Sequence, residues 1–90
     1  MGIKFVREKR SSLLGHTEVV YTEASTAKEP HPFQIVATQF GLRLSGSTLI
    51  VEGMRELDQL ARTISLAWED HLSLKPKLST LEDGVQLELL

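Results

Sequence analysis

The stretch between Gly53 and Leu72 has the strongest periodicity in this chain, and it constrains the fold more than any other feature. Successive residues of an α-helix lie about 100° apart around the axis, and on that spacing eight apolar side chains fall within one arc of roughly 140°. These side chains are Met54, Leu57, Leu60, Ala61, Ile64, Ala67, Trp68 and Leu72. The sequence therefore predicts a long amphipathic helix over about residues 53–72 that lays this arc on the core and ends near Ser73, before Pro76.

Two residues depart from this helical pattern. Leu66 falls in the middle of the polar arc, where it is either a singly exposed leucine or a contact residue for a partner or a second layer of the fold. His71 falls inside the apolar arc, and its place in the last turn favours a position near the helix carbonyls, whose partial negative charge attracts it. Leu66 is therefore a candidate partner-binding residue on the helix.

Two segments near the N-terminus predict a β-hairpin. Residues 3–10 alternate weakly and residues 17–22 are rich in β-branched and aromatic residues, so both favour strands. Gly15 suits the connection, and Leu13 and Leu14 lie at its tip. Two adjacent leucines at a tip have two interpretations that the sequence leaves open: a lid folded back over the core, or an apolar anchor for a partner.

The middle of the chain predicts a long loop followed by two strands. Residues 24–32 lack periodicity and end in Pro-His-Pro, which indicates a flexible or functional loop. Residues 33–44 favour a strand that Gly41 interrupts as a bulge or bend, and residues 45–47 favour a tight hairpin loop. Residues 48–52 then predict a return strand that runs into the helix, with apolar side chains on both faces.

The C-terminal segment has two interpretations. Asp83-Gly84 is a strong two-residue hairpin sequence, which would pair Leu78 with Leu89 across the turn. The alternative is a helical turn over residues 79–83 followed by one strand. Both interpretations share a strand over residues 85–90 that places Leu87 and Leu89 on one face, where they are candidate partner-binding residues.

Together these elements predict an α+β fold within a single domain of residues 1–90. We expect a small antiparallel β-sheet of four to six short strands, with the one long helix packed on one face. A single helix covers one face of a sheet, and Val20, Ile50 and Leu90 argue that the other face is not wholly polar. Self-association is therefore expected, because a second copy would bury that face.

The composition excludes several classes of protein. The chain has no cysteine, which rules out disulfides, thiolate metal sites and cysteine nucleophiles. It has no run of about eighteen apolar residues, and its first residues lack the apolar region of a signal peptide. We therefore expect a cytoplasmic protein that does not cross a membrane.

No motif in the sequence points to catalysis. His16, His31 and His71 show no metal-ligand spacing, no serine sits in a GxSxG turn, and no glycine-rich phosphate loop precedes the helix. Glu52 and Glu56 flank the helix start and would repel an anion there. We therefore expect no catalytic residues, no metal and no cofactor.

The charge distribution carries one alternative function. Residues 1–10 have a net charge of +3 and the remaining eighty residues a net charge of −5. The four cations of this basic hairpin, Lys4, Arg7, Lys9 and Arg10, are candidate contacts for nucleic-acid phosphates. The competing interpretation is a solvated charged edge that discourages aggregation, since no nucleic-acid-reading motif accompanies these residues.

The function that the sequence favours is a small non-enzymatic protein–protein interaction module that associates with itself or with another protein. Its candidate partner-binding residues are Leu13, Leu14, Leu66, Leu87 and Leu89. A stand-alone domain of this size without motifs is also typical of phage or mobile-element accessory proteins. Nucleic-acid binding through the basic hairpin is the alternative.

Overall fold

The computed structural model describes residues 2–75, in which a four-stranded antiparallel sheet carries one helix across one face. The strands follow one another in the order β1-β2-β3-β4, as a simple meander. Their bounds, with the helix, are β1 Phe5–Ser11, β2 Thr17–Glu23, β3 Gln34–Thr38, β4 Gly41–Ser45 and α1 Met54–Leu74. This architecture confirms the predicted fold class. Within residues 2–75, no helix is both long and apolar enough to cross a membrane.

The first hairpin forms where the sequence predicts it. Phe5 pairs with Glu23 at the open end of the hairpin, and Ser11 pairs with Thr17 beside the tip. The amide of Ser12 donates to the carbonyl of His16 at 2.7 Å and closes the connection. Leu13 and Leu14 therefore lie at the tip, as expected.

The core lies between α1 and the centre of the sheet. Val19 and Tyr21 of β2 face the same side as Ile35 and Ala37 of β3, because each pair is directly opposed in the antiparallel register. Ala67 of α1 packs on this group. Its small side chain lets the helix axis approach the sheet closely.

The segment from Thr38 to Glu52 differs from the prediction. Gly41 is not a bulge within one strand, because the chain reverses at residues 39–40 and Gly41 begins β4. The Thr38 hydroxyl accepts from the amide of Phe40 at 3.1 Å and donates to the carbonyl of Gly41 at 3.0 Å, and so closes a turn that lacks an Asn-Gly sequence. The predicted return strand over residues 48–52 is also wrong, and Ile50 is exposed.

The chain leaves the sheet at Gly46 because it docks on the preceding loop. The amide of Ser47 donates to the carbonyl of His31 at 2.7 Å, and the Ser47 hydroxyl donates to the same oxygen at 2.6 Å. Gly46 lies against the backbone of Pro32, with a φ of 101°. These contacts turn the chain toward the loop at Ser47 instead of back along β4.

The loop over residues 24–32 begins with one turn of 3-10 helix at Ala24–Thr26 that Glu23 caps. The Glu23 carboxylate accepts from the amides of Ser25 and Thr26, each at 3.0 Å, and from the Ser25 hydroxyl at 2.6 Å. Burial raises the pKa of Glu23, but these hydrogen bonds lower it by more, so the net pKa lies below the ordinary value for glutamate. The Thr26 hydroxyl in turn accepts from the amide of Phe33 at 2.9 Å.

We expect Glu23→Gln to lower the free energy of unfolding by about 1–2 kcal/mol, because an amide nitrogen then faces backbone donors that need an acceptor. The measurement is urea unfolding followed by Trp68 fluorescence, with Glu8→Gln, an exposed position on β1, as the control. Since the pKa of Glu23 is lowered by folding, its contribution is present above about pH 4.3 and is lost as the pH falls through the lower folded value. An equal effect of both substitutions would contradict the capping role.

The helix forms as predicted but is rotated away from the predicted face. Its buried residues are Thr63, Ala67 and His71, and part of the apolar arc, including Leu57 and Trp68, is substantially exposed. The prediction that the whole arc lies on the core is therefore wrong.

Polar contacts explain this rotation. The Gln59 side-chain oxygen Oε1 accepts from the backbone amide of Ile3 at 2.8 Å, and His71 Nδ1 donates to the backbone carbonyl of Thr38 at 2.7 Å. Asp70 accepts hydrogen bonds from the β1–β2 hairpin. His71 thus reaches the sheet instead of the helix carbonyls, and these satisfied polar groups turn their own side of α1 toward the sheet.

The sheet face opposite α1 is largely polar. Val20 and Val36 lie there almost fully buried, side by side and flanked in the same row by Glu8 and Arg43. Ile50 does not contribute to this face, because residues 48–52 form no strand. Of the three residues behind the expectation of self-association, Val20 therefore lies on this face, Ile50 does not, and Leu90 lies outside the described residues. Self-association stays a prediction. The two interpretations of residues 78–90 lie outside the described residues.

Candidate protein-binding site at the hairpin tips

The two hairpin tips lie at the same end of the sheet, because successive strands of a meander run in opposite directions. Between them is an open cleft of about 800 Å³. Its walls are the β1–β2 connection and the turn between β3 and β4, and its floor is the polar face of the sheet. We call this cleft and its rim the tip site, which comprises Arg10, Ser11, Ser12, Leu13, Leu14, His16, Glu18, Thr38, Gln39, Phe40, Gly41, Leu42 and Arg43.

Three large apolar side chains on the tip site are open to solvent. Leu13 is 105%, Leu14 83% and Phe40 84% exposed. Leu13 and Leu14 therefore do not fold back over the core, and the lid interpretation is wrong. Sequence reasoning missed Phe40 because it assigned this residue to the interior of a strand, whereas Phe40 stands at the corner of a two-residue turn.

Side-chain contacts join the two tips. The Phe40 ring packs edge-on against the His16 ring, with centroids 6.2 Å apart and planes at 81°. The Gln39 amide nitrogen donates to His16 Nδ1 at 3.0 Å. His16 thus connects the first hairpin to the second, and the apolar side chains are presented by two tips that hold each other in place.

The floor of the tip site is positively charged. The Glu18 carboxylate is almost buried and receives Arg10 Nε at 3.3 Å and Arg43 Nη1 at 3.9 Å. Two guanidinium groups therefore face one carboxylate, and about half of the surface of each arginine side chain is exposed. One unit of positive charge remains available to a ligand in the cleft.

The other predicted partner-binding residues lie elsewhere. Leu66 is exposed on α1, as its position on the polar arc predicts, and is separate from the tip site. It lies beside Ala61, Arg62, Ser65 and Glu69 in a shallow depression. Leu87 and Leu89 lie outside the described residues. The structure therefore brings Leu13 and Leu14 together with Phe40 but not with Leu66.

The four cations of the basic hairpin do not form one surface. Arg7 and Arg10 project from opposite faces of β1, since they are three residues apart on a strand. Arg7 Nη2 contacts Asp70 Oδ1 at 2.9 Å, and Arg10 pairs with Glu18. Lys9 shares the face of Arg7, and Lys4 precedes the strand. Binding of nucleic acid by these residues stays a prediction, and the structure adds no observation that favours it.

A second polar cluster joins β1, β2 and α1. The Tyr21 hydroxyl donates to Asp70 Oδ2, and Arg7 Nε donates to the same hydroxyl at 3.1 Å. Burial raises the pKa of Asp70, but the hydrogen bonds from Arg7 and Tyr21 lower it by more, and its net pKa is below the ordinary value. Burial and the bond to Asp70 raise the pKa of Tyr21. These three side chains satisfy one another, which is typical of a structural cluster.

No group of three or more potential metal ligands occurs within the part of the chain that the structure describes. The chain matches no family model, no curated protein and no solved structure. The tip site must therefore be interpreted from its own chemistry.

Proposed function

We propose that this domain is a protein-interaction module whose tip site binds an apolar segment of a protein partner that carries carboxylates beside its apolar residues. The observation that carries the proposal is the exposure of Leu13, Leu14 and Phe40 on two mutually supported turns. Fully burying one such side chain contributes about 1.5–3 kcal/mol, so the three together contribute roughly 5–9 kcal/mol. This is comparable to the cost of lost translational and rotational freedom on association, about 4–15 kcal/mol, so the charge on the floor must add to it.

The charge on the floor supports the choice of partner. Arg10 and Arg43 leave one unpaired positive charge next to the apolar rim. A carboxylate of the partner would pair with the positive charge that Glu18 leaves uncompensated. Glu18 is the one acidic residue among the described residues that line the cleft, and its own charge is already paired with both arginines, so it would repel that carboxylate little. A non-enzymatic role, a cytoplasmic location and an accessory-protein origin stay predictions from the sequence.

Selection from a random peptide display library tests this proposal. We expect the selected peptides to combine apolar residues with Asp or Glu, and to bind more weakly as the salt concentration rises. Leu14→Asp and Phe40→Asp should each weaken binding about tenfold or more, because each removes an anchor and adds a negative charge.

Leu66→Asp is the matched control, since it makes the same change at an exposed leucine outside the tip site. It should leave peptide binding unchanged. All three variants should keep the free energy of unfolding within about 0.5 kcal/mol of the parent, because the side chains are exposed. A library that yields no binder, or binders unaffected by Leu14→Asp and Phe40→Asp, would refute the proposed function.

A further inference from the structure

A second apolar surface runs along α1, on the side away from Gln59 and Asp70. The rotation of the helix leaves six apolar side chains, spaced three or four residues apart, outside the core. We call this surface the outer stripe, and it consists of Met54, Leu57, Ala61, Ile64, Trp68 and Leu72. Four of them are between 45% and 77% exposed, and Ile64 is half-buried at the border with the core. Spacings of three and four are those of a helix that packs against another helix.

The outer stripe lies over the β4 side of the sheet. Gln59 and Asp70 contact Ile3 and Arg7, so their side of α1 faces β1 and the opposite side faces β4. Leu44 of β4 is exposed on the helix-covered face, which extends the apolar surface from the helix onto the sheet. Within the described residues β4 is an edge strand.

We propose that the outer stripe is a homodimer interface, in which α1 packs antiparallel against α1 of a second copy of this chain. The four central residues of the stripe are self-complementary when α1 is reversed about a point between Arg62 and Thr63, whereas Met54 and Leu72 lie at its ends beyond this matched part. Leu57 of one copy then lies opposite Trp68 of the other, and the small Ala61 lies opposite the larger Ile64. A two-fold axis requires this correspondence, because each residue must meet its counterpart in both directions.

The available area fits a dimer at the small end of the range. From the exposed fractions, the outer stripe presents roughly 500 Å² of side-chain surface, and a standard interface takes about 800 Å² from each partner. Leu44 lies on the same side and adds to this area. The stripe carries no charged side chain, whereas Asp58, Glu69 and Arg62 lie next to it on the solvent-exposed side of α1. A charge-free centre with a charged surround is the usual anatomy of an interface.

This inference concerns a surface separate from the tip site, and it does not depend on the proposed function. Sedimentation equilibrium from about 1 to 100 µM should show a mass rising from 10.1 kDa toward twice that value. Trp68 is the one tryptophan of the chain, so quenching of its fluorescence by acrylamide should decrease over the same concentration range. A monomeric mass at every concentration would overturn the proposal, whether acrylamide quenches Trp68 strongly or weakly. Weak quenching in a monomer would indicate that another part of the same chain covers the indole.

Two leucines provide a matched pair of variants. Leu57→Glu would bury an unpaired charge in the interface, which is strongly unfavourable. This variant should therefore stay monomeric over the whole range, up to about 100 µM. Leu66→Glu makes the same change on the far side of the helix and should leave the dimer intact. Leu57→Glu should retain peptide binding at the tip site, and Leu14→Asp should retain dimerisation, so failure of one proposal is distinguishable from failure of the other.

The chain has no cysteine, so a cysteine introduced at one position is its only thiol. Disulfide cross-linking between such variants can therefore establish whether the two helices run antiparallel. A mixture of L57C and W68C chains should form mixed disulfide-linked dimers under mild oxidation. Neither variant alone should do so efficiently, because equivalent Leu57 positions would lie about 16 Å apart along the axis. Efficient linkage of each variant with itself would indicate a parallel contact and would overturn the antiparallel arrangement.

Discussion

Gly46→Ala is expected to lower the free energy of unfolding by about 3–5 kcal/mol, a large share of the stability of a domain of this size. A Cβ atom at position 46 would lie 1.9 Å from the carbonyl oxygen of Pro32 and 2.6 Å from its carbon. Both are backbone atoms, so no side-chain rotation relieves the clash. The φ of 101° adds backbone strain, because residues with a Cβ rarely adopt that conformation.

Gly15→Ala separates these two causes. Gly15 has a φ of 84° at the first hairpin tip, but a Cβ there would meet nothing within 4 Å. This variant should therefore cost about 1–2 kcal/mol, from backbone strain alone. The measurement is urea unfolding of each variant at one fixed protein concentration, since the proposed dimer would make stability depend on concentration. Equal costs at positions 15 and 46 would show that the close approach of Gly46 to Pro32 contributes nothing.

Much of the architecture follows from local sequence patterns. The first hairpin is predicted because β-branched residues flank a glycine-containing connection, and the structure pairs β1 with β2 as an antiparallel hairpin. The helix is predicted from its 3.6-residue period, which is independent of what the helix packs against. The α+β fold follows from these elements, because one long helix and several short strands have few ways to bury their apolar faces.

The second hairpin is missed for a reason that lies in side-chain chemistry. Thr38 closes the turn with its hydroxyl, whereas hairpin prediction relies on Asn-Gly or Gly-containing pairs at the central positions. Ser45-Gly46-Ser47 has such a composition but turns the chain toward the preceding loop. That outcome depends on the contact of Ser47 with His31, which is sixteen residues away in sequence and has no local pattern.

The sequence predicts one of the two hairpin tips that form the candidate site. Leu13 and Leu14 are found because two adjacent leucines at a hairpin tip are unusual, but Phe40 becomes visible only when the second turn is placed correctly. The outer stripe is hidden for a related reason. Hydrophobic periodicity predicts that a side of the helix is apolar but cannot predict that Gln59, Asp70 and His71 find partners in the sheet and turn part of that side outward.

Asp70→Ala is the second substitution for which we expect a large effect, a loss of about 2–3 kcal/mol in the free energy of unfolding. The Tyr21 side chain is buried, and its hydroxyl donates to Asp70, so removal of the carboxylate leaves a buried donor without an acceptor. Asp58→Ala is the control on the same helix, because Asp58 forms an exposed pair with Arg62 at 3.1 Å. Such surface pairs contribute at most about 0.5 kcal/mol.

A double-mutant cycle with Tyr21→Phe isolates the hydroxyl. Tyr21→Phe removes the donor that Asp70→Ala leaves unpaired, so the two losses should not add, and the doubly substituted chain should be less destabilised than their sum by about 1 kcal/mol or more. Additive losses would show that the bond between Tyr21 and Asp70 has no energetic weight. The remaining loss would then come from packing around residue 70.

The pH dependence supplies an independent test of the same cluster. Folding lowers the pKa of Asp70, so the ionised carboxylate stabilises the native state at every pH above the unfolded value of about 3.9. This contribution is lost as the pH falls from there through the lower folded value, because the proton then binds the native carboxylate and competes with Arg7 and Tyr21. The difference in unfolding free energy between the parent and Asp70→Asn should therefore be constant from pH 7 to about pH 5 and should narrow below pH 4. A difference that stays constant to pH 2 would mean that the charge of Asp70 does not contribute, and that its neutral hydrogen bonds alone hold α1 to the first hairpin.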